Sequence, residues 1–413
     1  MIKVGNAIRH FINKRKDFSM NLSKIDQAAD YIKDRIKADE VKGAALCVIH
    51  HDREVYRDQF GMANVEKDIP MTRDSIFRCY SMTKPITSAA VMMLVEQGRI
   101  ALMDPVSKYL PGFRDQKVLT PEGLVPVQQE VTLMHLLDMT AGLTYPDASF
   151  PAGRYMQDMI DAYYDRILNH DDPTSTYDLA NLIGQQPLEF QPGEGWRYSF
   201  CADVLGAVIE VVTGMTYGEY LKEVLFTPLG MVDTDFYCPE DKQDRFMENY
   251  QYMPETDSLE PCTWQHLGLS YMFLKKPLFE SGGAGLVSTI DDYSRFARMM
   301  LQGGVFEGRR YLSRKSIEYM TCNHLTPKQL EMYDWEALRG YGYGNLMRQM
   351  VNVPASYGLG SVGEYGWDGW LGCYVAMDPA EDLIILYAIQ KCGGNGYRDV
   401  QVIRNLIYSS LED

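Results

Sequence analysis

Between residues 22 and 38, apolar side chains recur at Ile25, Ala28, Ala29, Ile32 and Ile36 with charged residues between them. This predicts an amphipathic helix with one buried stripe. Residues 44–50 form an apolar run, His51-Asp52-Arg53 a polar turn, and residues 55–60 a second short run. Together they read as a β-hairpin. Ile86, Ala89, Ala90, Met93 and Leu94 return to helical spacing, and Gly98 supplies a stop. Further helices are predicted over 131–137 with Thr132 as N-cap, 202–212 ending at Gly214, 217–225, 290–302 behind Ser288 or Thr289, and 400–411. Near the end, residues 370–377 and 383–390 flank a turn at Asp378-Pro379 and read as an antiparallel pair of strands. Residues 145–172, rich in Tyr, Asp and Met, read as a long lid or cleft wall, and residues 238–280 as irregular structure beside a cleft.

This pattern defines the fold class as α/β (α+β), an antiparallel sheet flanked by helices together with a largely helical lobe. The chain has 413 residues, more than one core usually serves. The expected arrangement is a basic extension over 1–20, with Ile8, Phe11 and Ile12 on one face of a short helix. A single domain then covers 21–413, with its α/β lobe in about 21–100 and 281–413 and its mainly helical lobe in about 101–280. The formal net charge of −16 argues against nucleic acid and anionic membrane surfaces as partners. No run is long enough to span a membrane. The charged start lacks the apolar segment of a signal peptide, and the eight cysteines are scattered without metal-ligand spacing, so a cytoplasmic setting and no metal are expected.

The chemistry centres on Ser81-Met82-Thr83-Lys84, the one Ser-x-x-Lys in the chain. At this spacing both side chains share a helix face, about one turn apart. At a helix start, free N–H groups and the helix dipole favour the negative oxygen of an attacked carbonyl. A buried, neutral amine beside the hydroxyl can take its proton. Alone, the motif is too short to assign chemistry. His135, among Leu133, Leu136 and Leu137, reads as a structural histidine. Gly358 to Gly363 matches Gly-x-Gly-x-x-Gly but opens no helix, so it reads as a turn before a strand.

Four stretches, in order, carry a more specific resemblance. They are Ser81-Met82-Thr83-Lys84 at a helix head, His135-Leu136-Leu137 with Thr140-Ala141-Gly142-Leu143, Pro192-Gly193 leading to Tyr198-Ser199, and Gly282-Gly283 with Gly366-Trp367-Asp368-Gly369. From about residue 22 onward the chain resembles the serine β-lactamase and penicillin-binding-protein superfamily, in its class C branch. It is most similar there to the family VIII carboxylesterases. The resemblance implies a β-lactamase/transpeptidase-like fold and a serine hydrolase that works through an acyl-enzyme on Ser81, with Lys84 and Tyr198 sharing the proton transfer. It further implies an oxyanion hole formed by the backbone N–H groups of Ser81 and Trp370, and no cofactor.

Two departures shape the expected substrate. Phe200 stands where the lactamases carry Asn, and Trp367-Asp368-Gly369 replaces their Lys-Thr-Gly. Both point towards small-molecule carboxylic esters, with Trp367, Asp368, Gly369, Trp370 and Tyr145 as candidate substrate contacts, and Tyr155, Trp264 and Tyr341 as further wall residues. The alternatives within the superfamily are a β-lactamase, a D-amino-acid peptidase or an acyltransferase. An acylating sensor or a non-catalytic binding relative is the alternative of another class. The oligomeric state is left open.

Overall fold

The computed structural model describes residues 19–169, 174–270, 273–333, 335–393 and 396–412. The predicted helix around Ile8 to Ile12 lies outside these residues. Its C-terminal neighbour, Ser19–Met20, forms a short antiparallel pair with Leu411–Glu412, which ties the two ends of the described chain together.

Eight antiparallel strands make the central sheet. In chain order they are β1 (Gly43–His50), β2 (Arg53–Asn64), β3 (Ile69–Pro70), β4 (Tyr341–Gly344), β5 (Met347–Met350), β6 (Tyr365–Asp368), β7 (Tyr374–Asp378) and β8 (Leu383–Ile389). Their spatial order is β4-β5-β6-β7-β8-β1-β2-β3, so the last part of the chain pairs directly with the first: Leu386 faces Cys47 and Tyr387 faces Leu46. Every residue of β1 and β8 is buried. Alternation explains why both strands read as unbroken apolar runs. Ala44, Leu46 and Val48 meet Ile25, Ala28 and Ile32 of helix α1 (Leu22–Lys37), with Ile403 and Ile407 from the last helix, Gly396–Tyr408. Ala45, Cys47 and Ile49 face the other way, into a second core built with helix α2 (Thr83–Glu96) and with helix Ile290–Leu301. Thr289 caps that helix by accepting from Asp292 N–H.

The helical part lies between these sheet segments in sequence, with helices Leu133–Leu137, Pro151–Asn169, Thr176–Gly184, Cys201–Thr213 and Tyr217–Leu221. Gly214 ends the helix Cys201–Thr213 in a left-handed conformation, φ +73°.

Several expectations are corrected. Within the stretch read as a lid or cleft wall, Pro151–Asn169 is a 19-residue helix that buries Met156, Ile160 and Tyr163 on one face. The stretch 238–280 contains a hairpin, Tyr250–Met253 with Ser258–Pro261. The second strand of the first hairpin runs to Asn64, beyond the short run of 55–60. The strand expected at 370–377 begins only at Tyr374, so Trp370 lies in the turn between β6 and β7. The final helix runs over Gly396–Tyr408 and is followed by a short strand.

Candidate active site

The chain approaches Ser81 along a two-residue strand, Phe77–Arg78, paired with Val287–Ser288. It then reverses at Tyr80, whose φ of +43° places a bulky residue in the left-handed region. Such a conformation costs about 1–3 kcal/mol and persists only where its surroundings enforce it. Here the Tyr80 ring is buried against Phe273 and Trp370, with centroids 5.8 and 5.3 Å away. A single tight turn, Tyr80–Met82, carries Ser81 and runs straight into α2. The hydroxyl of Tyr293 donates to the carbonyl of Met82 at 2.7 Å and fixes that turn from behind.

Lys84 follows one turn later and is fully buried. Its Nζ lies 3.1 Å from Ser81 Oγ, 3.1 Å from the Tyr145 hydroxyl and 2.8 Å from the Gly283 carbonyl. Burial pulls the amine from 10.5 down to about 7, against the opposing pull of the Asp203 carboxylate. Asp203 is also buried, in the first turn of the helix Cys201–Thr213. It accepts from Ser281 Oγ and from the Gly283 N–H at 3.1 Å, so it holds the loop whose carbonyl meets Lys84. A Cβ on Gly282 would lie 2.2 Å from the Ala202 carbonyl, and one on Gly283 2.6 Å from Asp203 Oδ2. The pair of glycines is what lets this loop come so near.

Tyr198 completes the cluster. Lys84 Nζ sits over its ring, 4.4 Å from the centroid, and Trp367 Nε1 donates to its hydroxyl at 2.9 Å. Contacts with Ser81 and Trp367 favour the phenolate, but burial outweighs them and pushes the phenol above its ordinary value. Both groups are therefore driven towards their neutral forms. Phe200 is buried edge-on against Tyr145, ring centroids 4.7 Å apart. It offers Lys84 no polar group, and the Tyr145 hydroxyl stands against the amine.

The opposite wall is the turn after β6. Gly369 N–H donates to the Cys373 carbonyl at 2.7 Å, which closes the turn. A Cβ at Gly369 would lie 2.4 Å from both the Cys79 carbonyl and Cys373 Sγ. Glycine is thus needed for the turn to reach the backbone that carries Ser81. The Trp370 N–H has no acceptor among the described residues. The Trp370 ring stacks on His266 at 4.0 Å, and burial holds His266 down at about 4, so that ring is neutral near pH 7.

Ser81, Tyr198, Trp335, Trp367, Asp368 and Trp370 line one cavity of ≈ 290 Å³, with Gly369 and Tyr341 also on its surface. Asp368 meets Arg348 Nη1 at 3.2 Å and is half open to the cleft. Desolvation raises its carboxyl group, while Arg348 and Lys84 pull it back. Of the sequence-predicted residues, Tyr145 touches Lys84 rather than the cavity surface. Tyr155 and Trp264 do not line the cavity, although Trp264 packs against Trp370 at 5.0 Å. His135 serves structure: its Nδ1 accepts from the Thr132 N–H across the cap of helix Leu133–Leu137. The residues missed from sequence are Asp203, Gly283 as an acceptor, Trp335 and Arg348. A lone aspartate within the apolar run Ala202 to Val204 was the available signal for the first of these.

An uncharacterised protein of Mycobacterium tuberculosis is 33% identical over 366 residues, covering 85% of this chain and 86% of its own. Esterase EstB of Burkholderia gladioli is 33% identical over 293 residues, 67% of this chain and 70% of its own. The solved structure of EstCE1, a hydrolase with promiscuous acyltransferase activity, superposes with a TM-score of 0.78 at 24% identity, covering 94% of this chain and 99% of that one. The family described as Beta-lactamase matches residues 28–407. The chain therefore belongs to the Beta-lactamase family and is a β-lactamase-fold hydrolase related to esterase EstB.

Proposed function

We propose that this protein is a serine carboxylesterase that acts through an acyl-enzyme on Ser81. The observation that carries the reading is the buried Lys84 amine 3.1 Å from the Ser81 hydroxyl, held near neutrality by burial. An ammonium would donate to all three of its neighbours. A neutral amine keeps two donors and one lone pair. The Gly283 carbonyl can only accept, so the lone pair is left for a hydroxyl, and Ser81 can donate its proton there as it attacks the ester carbonyl. The Tyr198 phenol, protonated and in contact with Ser81, then passes a proton to the leaving alcohol and recovers it from Lys84. The Ser81 and Trp370 N–H groups receive the oxyanion; such donors contribute about 3 kcal/mol each. Water cleaves the acyl-enzyme by the same path.

Esters are favoured over β-lactams because Trp367, rather than a cation, stands beside Tyr198, and because Phe200 offers no amide to a substrate. The relationship to esterase EstB supports the same class. The test compares p-nitrophenyl esters of increasing acyl length with a chromogenic cephalosporin, on wild type and on Ser81→Ala. Ester turnover should dominate and vanish in Ser81→Ala, with circular dichroism unchanged. Faster cephalosporin turnover, or ester turnover surviving in Ser81→Ala, would overturn the proposal.

A further inference from the structure

The inner half of the cavity presents an unusual balance of charge. Two arginines, Arg348 and Arg404, border it, but each side chain is only 3% exposed and each already faces a carboxylate. Arg348 donates to Asp368 Oδ1 and to the Val375 carbonyl at 3.0 Å, and its guanidinium lies over the Tyr374 ring at 4.6 Å. Arg404 pairs with the wholly buried Glu364. An incoming anion would reach neither guanidinium without displacing a carboxylate.

The charged group that the cleft does present is Asp368. Its side chain is 52% exposed, and its Oδ2 has no hydrogen-bond partner among the described residues. The indoles of Trp335, Trp367 and Trp370 border the same cavity. A carboxylate oxygen beside aromatic rings suits an organic cation, which gains from the charge and from ring faces together. The chain's net charge of −16 adds a long-range field of the same sense.

We propose that Asp368 selects esters bearing an ammonium group, with the cation seated at its Oδ2 in the tryptophan-bordered cavity while Ser81 attacks the carbonyl. This rests on the esterase reading given above and names its substrate class. The cation can belong to the acyl part or to the alcohol part, and the experiment separates the two.

In the acyl arm, kcat/KM is measured for three p-nitrophenyl esters of one chain length, ending in trimethylammonium, tert-butyl or carboxylate. In the alcohol arm, choline butyrate is compared with its neutral tert-butyl isostere. The cation should be preferred over its neutral isostere by roughly ten-fold or more in one arm, and the carboxylate should be the poorest. In Asp368→Asn, which keeps an oxygen towards Arg348, that ratio should fall to about one, read as a ratio within the variant. Preference for the neutral or the anionic ester in both arms overturns the proposal, and so does a cation preference that survives in Asp368→Asn. Calorimetric titration of the wild-type protein with butyltrimethylammonium and with butyrate gives a readout that needs no turnover. Binding of the cation alone supports the site even if every ester is inert, an outcome that would refute only the esterase reading. Binding of butyrate alone, or of neither, refutes the cation site whatever the turnover.

Discussion

If the neutral Lys84 amine is the group that activates Ser81, the pH dependence of kcat/KM is fixed by its burial. A lysine at its ordinary value would be neutral in only about one molecule in three thousand at pH 7. With the value near 7, kcat/KM should rise through a limb centred there, with about a tenth of the plateau at pH 6 and about nine tenths at pH 8. The displacement from 10.5 to about 7 corresponds to about 5 kcal/mol against the ammonium. The assay is ester hydrolysis followed by pH-stat, because p-nitrophenol itself titrates in this range. Asp203→Asn identifies the group. The Asp203 charge is what holds the Lys84 value up against burial, so its removal should move the limb to lower pH. The amide oxygen can still accept from Ser281 and Gly283, which protects the loop. Stability carries the same signature. Between about 7 and 10.5 the unfolded lysine holds a proton that the folded one lacks, so unfolding becomes harder as pH rises through this window. The contribution is complete above 10.5 and is lost as pH falls through 7; Lys84→Met should lack this slope. A wild-type limb near pH 10, a profile flat from 6 to 9, or a limb that stays put or rises in Asp203→Asn would refute the argument.

Two further perturbations test the scaffold. Gly369→Ala places a methyl 2.4 Å from the Cys79 carbonyl and Cys373 Sγ, so the Trp370 turn must retreat. kcat should fall by roughly a hundred-fold with KM little changed, measured beside circular dichroism to show that the chain still folds. Arg404→Met strands Glu364, whose side chain is fully buried and among the described residues otherwise accepts only from the hydroxyls of Tyr341 and Tyr408. Urea unfolding should show a loss of about 3–5 kcal/mol, and pairing it with Glu364→Gln should restore part of it.

The sequence was most legible where one periodicity coincided with one burial pattern. Ile25, Ala28, Ala29 and Ile32 predicted α1 because one stripe faces the sheet and the other faces water. β1 and β8 were legible as strands because both of their faces are covered. The helix Pro151–Asn169 was missed because tyrosines and aspartates interrupt its apolar face, and its buried residues, Met156, Ile160 and Tyr163, are mixed in type. β6 was missed because only four residues long, with a glycine inside, it carries too little alternation to show. In the site, Ser81 and Lys84 stood out through motif spacing and Tyr198 through the family resemblance, and the structure brings them together. Arg348 did not stand out, since a cation buried in a short strand has no periodic signature. Its role appears only when β5 and β6 are seen side by side.

The site is built less by its motif than by close backbone approach. Gly282 and Gly283 bring a carbonyl to Lys84, and Gly369 brings the Trp370 turn to the strained peptide at Tyr80. Burial is the largest influence on both Lys84 and Tyr198. The same burial acts in opposite chemical senses. It strips a proton from the amine and keeps one on the phenol. A change that let water reach the Lys84 amine should therefore raise the pH limb towards 10.5.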